Sequence, residues 1–138
     1  MKNHTYKLLF GAAAGGILLL ASCSKNDSDP VTDPRDQYVG SWTTVETCNS
    51  SSSQTFTITV SKSVSDNVSI KIQNFYNLGS STYTFAKTSG NSITIESQSV
   101  SGWNLHGSGN FSSGKINFTY YADDGVQKDT CSAACTKQ

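Results

Sequence analysis

Apolar and polar residues alternate with a period of two along most of the chain after Gln37. Two clear series are Phe56, Ile58, Val60 and Val68, Ile70, Ile72. Successive side chains of a strand point to opposite faces, so each series predicts a strand with one buried face. No stretch with a period of 3.6 is long enough for a substantial helix. The pattern therefore predicts an all-β fold.

Turn-forming residues divide the pattern into about eight short strands, counting residues 38–47 as the first. One hairpin turns at residues 89–92, a second turns at 112–115, and the last strand covers roughly 126–133. Such an antiparallel meander protects its edges best by closing into a small barrel, and a two-sheet β-sandwich is the alternative. The residues expected to fill the interior include Phe56, Ile58, Ile70, Phe85, Ile95 and Phe118.

The first 22 residues resemble a secretory signal. Lys2 and Lys7 precede an uncharged apolar run over residues 8–20, which is too short to span a bilayer.

Without these two lysines the chain carries eight basic and ten acidic residues, a net charge of −2. This balance lacks the excess of basic residues that is typical of nucleic-acid-binding proteins. We expect a monomer that binds no nucleic acid.

The signal ends in the sequence Leu-Ala-Ser-Cys at residues 20–23, which resembles the lipobox of bacterial lipoproteins. The resemblance implies that residues 1–22 are removed and that Cys23 carries the acyl chains that anchor the protein to a membrane. The polar stretch that follows resembles the surface-export tether of lipoproteins from Bacteroidetes. We expect a flexible tether over residues 23–36 and a domain over 37–138. The expected location is the outer membrane, facing the periplasm or the cell surface.

Gly40 and Trp42 form a Gly-x-Trp motif at the start of the first strand. The motif is similar to that of lipocalins and of lipocalin-like domains in small Bacteroidetes lipoproteins. The resemblance implies that Gly40 allows a close turn and that Trp42 plugs one end of a lipocalin-like barrel. Lipocalins usually place an arginine from near the last strand over this tryptophan. Here the only arginine is Arg35, and the last strand offers Lys128.

Three cysteines follow Cys23, and a location outside the cytoplasm permits a disulfide. Cys131 and Cys135 would lie about 13 Å apart on one extended strand, too far to pair. Cys48 ends the first strand and Cys131 lies in the last, and these strands are neighbours in a closed barrel. We expect a Cys48–Cys131 bridge, with Cys135 as the less favoured partner and otherwise a free or frayed thiol.

No residue set suggests catalysis. After the signal segment the chain has one histidine, His106, whose position in its strand predicts exposure to solvent. Five carboxylates could in principle give an acid and base pair, but Asp123 and Asp124 are typical turn formers, and the pattern places the other three, Glu46, Glu96 and Asp129, on the polar faces of strands. The histidine and cysteines lack the paired spacing of a zinc site. We therefore expect no enzyme activity, no metal and no cofactor.

Aromatic residues are the better indication of binding. Tyr76, Trp103 and Tyr121 fall at strand ends or away from the inward positions, where they could stack on a flat ligand. Two hypotheses follow. In the first, the barrel holds a small apolar or amphipathic ligand in an internal cavity. In the second, it is a structural or adhesive surface module that binds a glycan or a protein through exposed aromatics.

Overall fold

A computed structural model describes residues 32–138, so the predicted signal segment and Cys23 lie outside the described residues. Eight strands follow one another along the chain: β1 Gly40–Cys48, β2 Ser51–Lys62, β3 Ser69–Gln73, β4 Tyr83–Ser89, β5 Ser92–Val100, β6 Trp103–Ser112, β7 Lys115–Asp123 and β8 Lys128–Lys137. A short 3-10 helix, Phe75–Asn77, lies between β3 and β4. Among the described residues no helix is long and apolar enough to cross a membrane.

The strands form a closed antiparallel barrel in which each strand pairs with the next along the chain. Closure comes from β1 and β8, whose register runs from Trp42 opposite Lys137 to Cys48 opposite Cys131. Closure leaves the sheet without a free edge strand. The predicted barrel is confirmed, and the alternative two-sheet sandwich is wrong.

The barrel interior is filled by side chains from all eight strands. Trp42, Ile70, Ile72, Leu105 and Tyr120 have no solvent-accessible surface at all. A water-sized space beside these side chains would leave them some accessible surface, so the packing around them is closed. The expected interior residues Ile58, Ile70, Ile95 and Phe118 are buried, and Phe56 is partly buried against them.

One end of the barrel, which we call the entry end, is plugged by the segment that leads into β1. Trp42 donates its indole N–H to the carbonyl oxygen of Tyr38 at 2.8 Å, and the Phe111 ring meets both side chains edge-on. The Lys137 ammonium lies 5.3 Å from the centre of the Trp42 ring. The cation over the tryptophan is therefore Lys137 and not Lys128, which pairs with Asp123 at the opposite end of β8.

Gly40 makes the expected close turn into β1. Its φ angle is +132°, a conformation that side-chain-bearing residues rarely adopt, and a Cβ atom there would lie 3.1 Å from Cε of Lys137. A glycine at this position therefore allows Lys137 to reach over Trp42.

Arg35 fixes the chain before β1 to the loop between β2 and β3. Its buried guanidinium donates to the carbonyl oxygens of Ser63, Asp66 and Ser69 at 2.7–3.2 Å and pairs with Asp33 at 2.8 Å. The folded unit accordingly begins at Thr32, earlier than the domain boundary expected at residue 37. The sequence pattern missed this because the segment is held by hydrogen bonds and not by alternating apolar residues.

The side chains of β4 that face the interior are the opposite set to those predicted. Tyr83 and Phe85 point outward, with Phe85 49% exposed, whereas Thr84, Ala86 and Thr88 point inward. The prediction that Phe85 fills the interior is wrong. Ala86 pairs directly with the inward-facing Ile70, and directly opposed residues of an antiparallel pair share a face. Val68, also predicted to be in a strand, lies exposed just before β3.

Candidate functional site

The barrel end opposite the entry end, which we call the far end, gathers aromatic and polar side chains. The β1–β2 turn, the connection from β3 to β4, the β5–β6 turn and the β7–β8 turn all lie there. The side chains that interact at this end are Glu46, Ser50, Gln54, Tyr76, Trp103, Tyr120, Gln127 and Asp129.

A disulfide between Cys48 and Cys131 links β1 and β8 beside this cluster, as predicted, with the two Cα atoms 4.1 Å apart. Cys135 is free, as expected, but it is not frayed, because its side chain is fully buried. The Thr44 hydroxyl donates to its sulfur at 3.3 Å. Burial raises the pKa of the Cys135 thiol to about 11, so it is neutral and unreactive.

Glu46 is 1% exposed, so the prediction that it lies on a polar strand face is wrong. The hydroxyl of Tyr120 and the amide of Gln54 both donate to its carboxyl group, Gln54 at 2.7 Å. Burial raises the pKa of Glu46 above its ordinary value, because desolvation of the charge outweighs these two hydrogen bonds. Burial and the neighbouring Glu46 also raise the pKa of Tyr120.

Asp129 is 2% exposed and was likewise wrongly placed on a polar face. The hydroxyls of Ser50 and Tyr76 and the amide of Gln127, at 2.9 Å, donate to its carboxylate. Burial alone would raise the pKa of Asp129, but these donors together outweigh it and the net pKa is lowered. Asp129 is therefore an ionised, fully hydrogen-bonded group that holds Tyr76 in place.

Tyr76 has an unusual backbone conformation. Its φ angle is +56°, and Asn74 and Asn77 on either side have φ angles of +61° and +54°. The left-handed region costs a non-glycine residue of order 1 kcal/mol, and such strain is often found at binding sites. Asparagine tolerates the left-handed region, so Asn74 and Asn77 are the residues that could have indicated this turn from the sequence.

The Tyr76 ring meets the Trp103 ring edge-on at a centroid distance of 4.9 Å, and both rings are half-buried. The structure thus brings together two of the three aromatics singled out in the sequence. Tyr121 lies elsewhere, on the outer face of the barrel, where it stacks on His106 with the ring centres 5.0 Å apart. His106 is exposed, as predicted.

Exposed amide and hydroxyl groups surround the Tyr76–Trp103 pair. Asn77 donates to Gln54 at 3.2 Å, and Gln127 donates to Ser50 at 2.8 Å. Aromatic faces beside planar amides and hydroxyls match the alternating apolar and polar surfaces of a sugar ring. The arrangement is suited to binding a neutral, hydroxyl-rich molecule.

The described residues also bring Glu46, Cys48 and Cys131 within metal-ligand distance of one another. Both sulfur atoms belong to the disulfide and cannot act as thiolate ligands. This cluster is therefore not a metal site.

The fold defines the chain as a small eight-stranded antiparallel β-barrel protein. Among solved structures it resembles a redesigned β-barrel with a TM-score of 0.57 and 9% sequence identity, over 77% of this chain and 96% of that chain. At this identity the likeness concerns the fold alone. No family model and no curated protein matches the sequence.

Proposed function

We propose that the protein is an outer-membrane lipoprotein, anchored by acyl chains on Cys23, whose barrel faces the periplasm or the cell surface. The lipobox-like residues 20–23 and the apolar run before them support the anchor. The Cys48–Cys131 disulfide supports a location outside the reducing cytoplasm.

The barrel's role, in this proposal, is that of a rigid surface module that binds a glycan at its far end. The observation that carries it is the strained Tyr76, held by Asp129 against Trp103. The packed interior favours this surface mode over a small apolar ligand in a cavity, because several large interior side chains have no accessible surface. The segment that leads into β1 lies at the entry end, so Tyr76 and Trp103 lie at the barrel end away from it.

Replacing Cys23 tests the anchor. Cys23→Ser removes the sulfur that would be acylated, so the protein should move from the membrane fraction to the soluble fraction after cell lysis. Fractionation and immunoblotting measure this, and Cys135→Ser is the matched control that should stay with the membrane. Membrane retention of Cys23→Ser equal to that of the unchanged protein would rule the lipid anchor out.

Replacing Trp103 tests the glycan site. Trp103→Ala should weaken retention on immobilised neutral polysaccharides about tenfold, because it removes the larger stacking surface. Affinity electrophoresis measures retention, and thermal unfolding checks that the variant is folded. Tyr121→Ala removes an aromatic from the outer face and should keep the full retention. Trp103→Tyr, which keeps an aromatic ring, should recover part of it.

Equal retention of the folded Trp103 and Tyr121 variants would contradict a glycan site at the far end. The same conclusion would follow if the unchanged protein were not retained by any polysaccharide tested.

A further inference from the structure

The β4–β5 pair is an incomplete seam of the barrel. The paired positions run only from Lys87 opposite Thr94 to Ser89 opposite Ser92, although β4 extends back to Tyr83 and β5 continues to Val100. The two strands separate at this point. The half of β4 nearer the far end therefore lacks backbone pairing with β5.

The side chain of Gln98 takes the place of the missing strand partner. Its amide oxygen accepts a hydrogen bond from the backbone N–H of Phe85 at 2.9 Å, and its amide nitrogen donates to the carbonyl oxygen of Phe85 at 2.7 Å. In an antiparallel sheet, a residue exchanges this same pair of bonds with the backbone of the residue opposite. The Gln98 amide thus mimics the peptide groups of a neighbouring strand.

A β-bulge explains how Gln98 reaches this position. The β5–β6 register passes from Ile95 opposite Gly107 to Gln98 opposite Leu105, which leaves one extra residue in β5. A bulge bends its strand and redirects side chains. Here it separates β5 from β4 and places the Gln98 amide across the gap.

An open groove of about 200 Å³ lies along the seam, with Phe85, Ala86, Glu96 and Gln98 among its walls. Phe85 is half-exposed, and Tyr83 lies two residues away on the same outward face. Lys87 and Glu96 pair across the seam at 2.7 Å, so these two charges largely compensate each other. The groove therefore combines an apolar wall, a compensated charge pair and a backbone edge.

From this geometry we propose that the seam binds an extended, uncharged peptide segment, which displaces the Gln98 amide and pairs with the Phe85 backbone. Strand addition obtains its affinity from main-chain hydrogen bonds, and pockets for alternate side chains give its specificity. Phe85 and Tyr83 would contact apolar side chains at alternate positions of the peptide. A sugar has no amide groups with which to replace the two hydrogen bonds that the Gln98 amide makes with the Phe85 backbone, so a peptide is the favoured occupant.

The probe is a capped, dye-labelled five-residue peptide with alternating valine and threonine, and its binding is followed by fluorescence anisotropy. The purified protein should bind this peptide saturably. An analogue with N-methylated peptide bonds should not bind, because it cannot donate to the Phe85 carbonyl. Phe85→Ala should weaken binding by about tenfold, because the apolar wall is lost.

Removing the internal competitor gives the decisive result. Gln98→Ala should tighten peptide binding about three- to tenfold, because the peptide no longer has to displace the amide. Gln98→Asn, whose shorter side chain cannot reach Phe85, should act in the same direction and keeps the position polar. Gln138→Ala at the entry end, where the Gln138 amide donates to Thr43, is the control and should leave peptide binding unchanged. Thermal unfolding identifies the variants that remain folded.

Three results of the peptide assay would overturn the proposal: no binding to any folded variant, weaker binding after both Gln98 substitutions, or equal binding of the N-methylated peptide. Sedimentation distinguishes a further occupant. Self-association that Phe85→Ala abolishes, without peptide binding, would show that a second copy of the chain occupies the seam and would also overturn it.

Discussion

Two buried carboxyl groups at the far end have pKa values shifted in opposite directions, because their surroundings differ. Two donors contact Glu46, and burial raises its pKa. Three side-chain donors contact Asp129, and its net pKa is lowered. Glu46 is the more strongly desolvated of the two and has fewer donors, so burial prevails at Glu46 and donation prevails at Asp129. The pKa of Glu46 is therefore raised, and the pKa of Asp129, which positions Tyr76, is lowered.

Glu46→Gln should remove a pH dependence of stability. The folded protein keeps the Glu46 proton to higher pH than the unfolded chain does, so the free energy of unfolding falls as pH rises above the ordinary value of 4.5 through the raised pKa. Glutamine cannot ionise. The variant should match the unchanged protein in free energy of unfolding near pH 4 and exceed it at pH 8, measured by urea unfolding.

The exposed Glu96 provides the control for this comparison. Glu96→Gln breaks an exposed pair with Lys87, and such pairs contribute little to stability. Its stability difference from the unchanged protein should be small at both pH values. A Glu46→Gln variant that is less stable at pH 8 than at pH 4, relative to the unchanged protein, would contradict the account.

Strand β6 shows how the barrel accommodates its large interior side chains. A Cβ atom at Gly107 would lie 2.4 Å from Cβ of Tyr120, and one at Gly109 would lie 2.6 Å from the Phe118 ring. Glycines at these two positions let the bulky residues of β7 cross the face of β6. Glycine within a strand commonly marks such a close approach.

The elements differ in how far the sequence could predict them. The number of strands and the closure of the barrel could be predicted from the period of two and the turn residues. The inward-facing side chains of β4 could not be predicted, because aromatic and small residues alternate in this strand and only its pairing with β3 decides which of them face the interior. Glu46 lies on the same face of β1 as Trp42, Thr44 and Cys48, and this alternation favours burial. Its charge led instead to the wrong prediction of a solvent-facing position. The meeting of Tyr76 with Trp103 depends on the barrel's closure, which local patterns cannot specify.

At the scale of the whole molecule, closure joins the first strand to the last. The disulfide spans 83 residues and fixes β1 against β8 next to the far end. In the chain-entropy model a loop of this length restricts the unfolded chain strongly. The bridge therefore stabilises the barrel and also supports the Asp129 cluster, which β8 carries two residues before Cys131.

Replacing both Cys48 and Cys131 by serine should lower the free energy of unfolding by about 4 kcal/mol, because the unfolded chain regains its freedom. Denaturant unfolding measures the change. Adding a reductant should reproduce much of it in the unchanged protein and have no effect on the double variant. Equal denaturation midpoints for the unchanged protein and the double serine variant, both without reductant, would show that the bridge does not restrain the unfolded chain.

The end of the chain has a practical consequence for labelling. The backbone N–H of Gln138 donates to the carbonyl oxygen of Ser41 at 3.0 Å, and Lys137 lies over Trp42, so the polypeptide leaves the barrel where it came in. A fluorescent reporter or purification tag fused after Gln138 would sit at the entry end, beside Trp42. The mouth carrying Tyr76 and Trp103 would remain unobstructed, so such fusions suit imaging and pull-down studies in living cells.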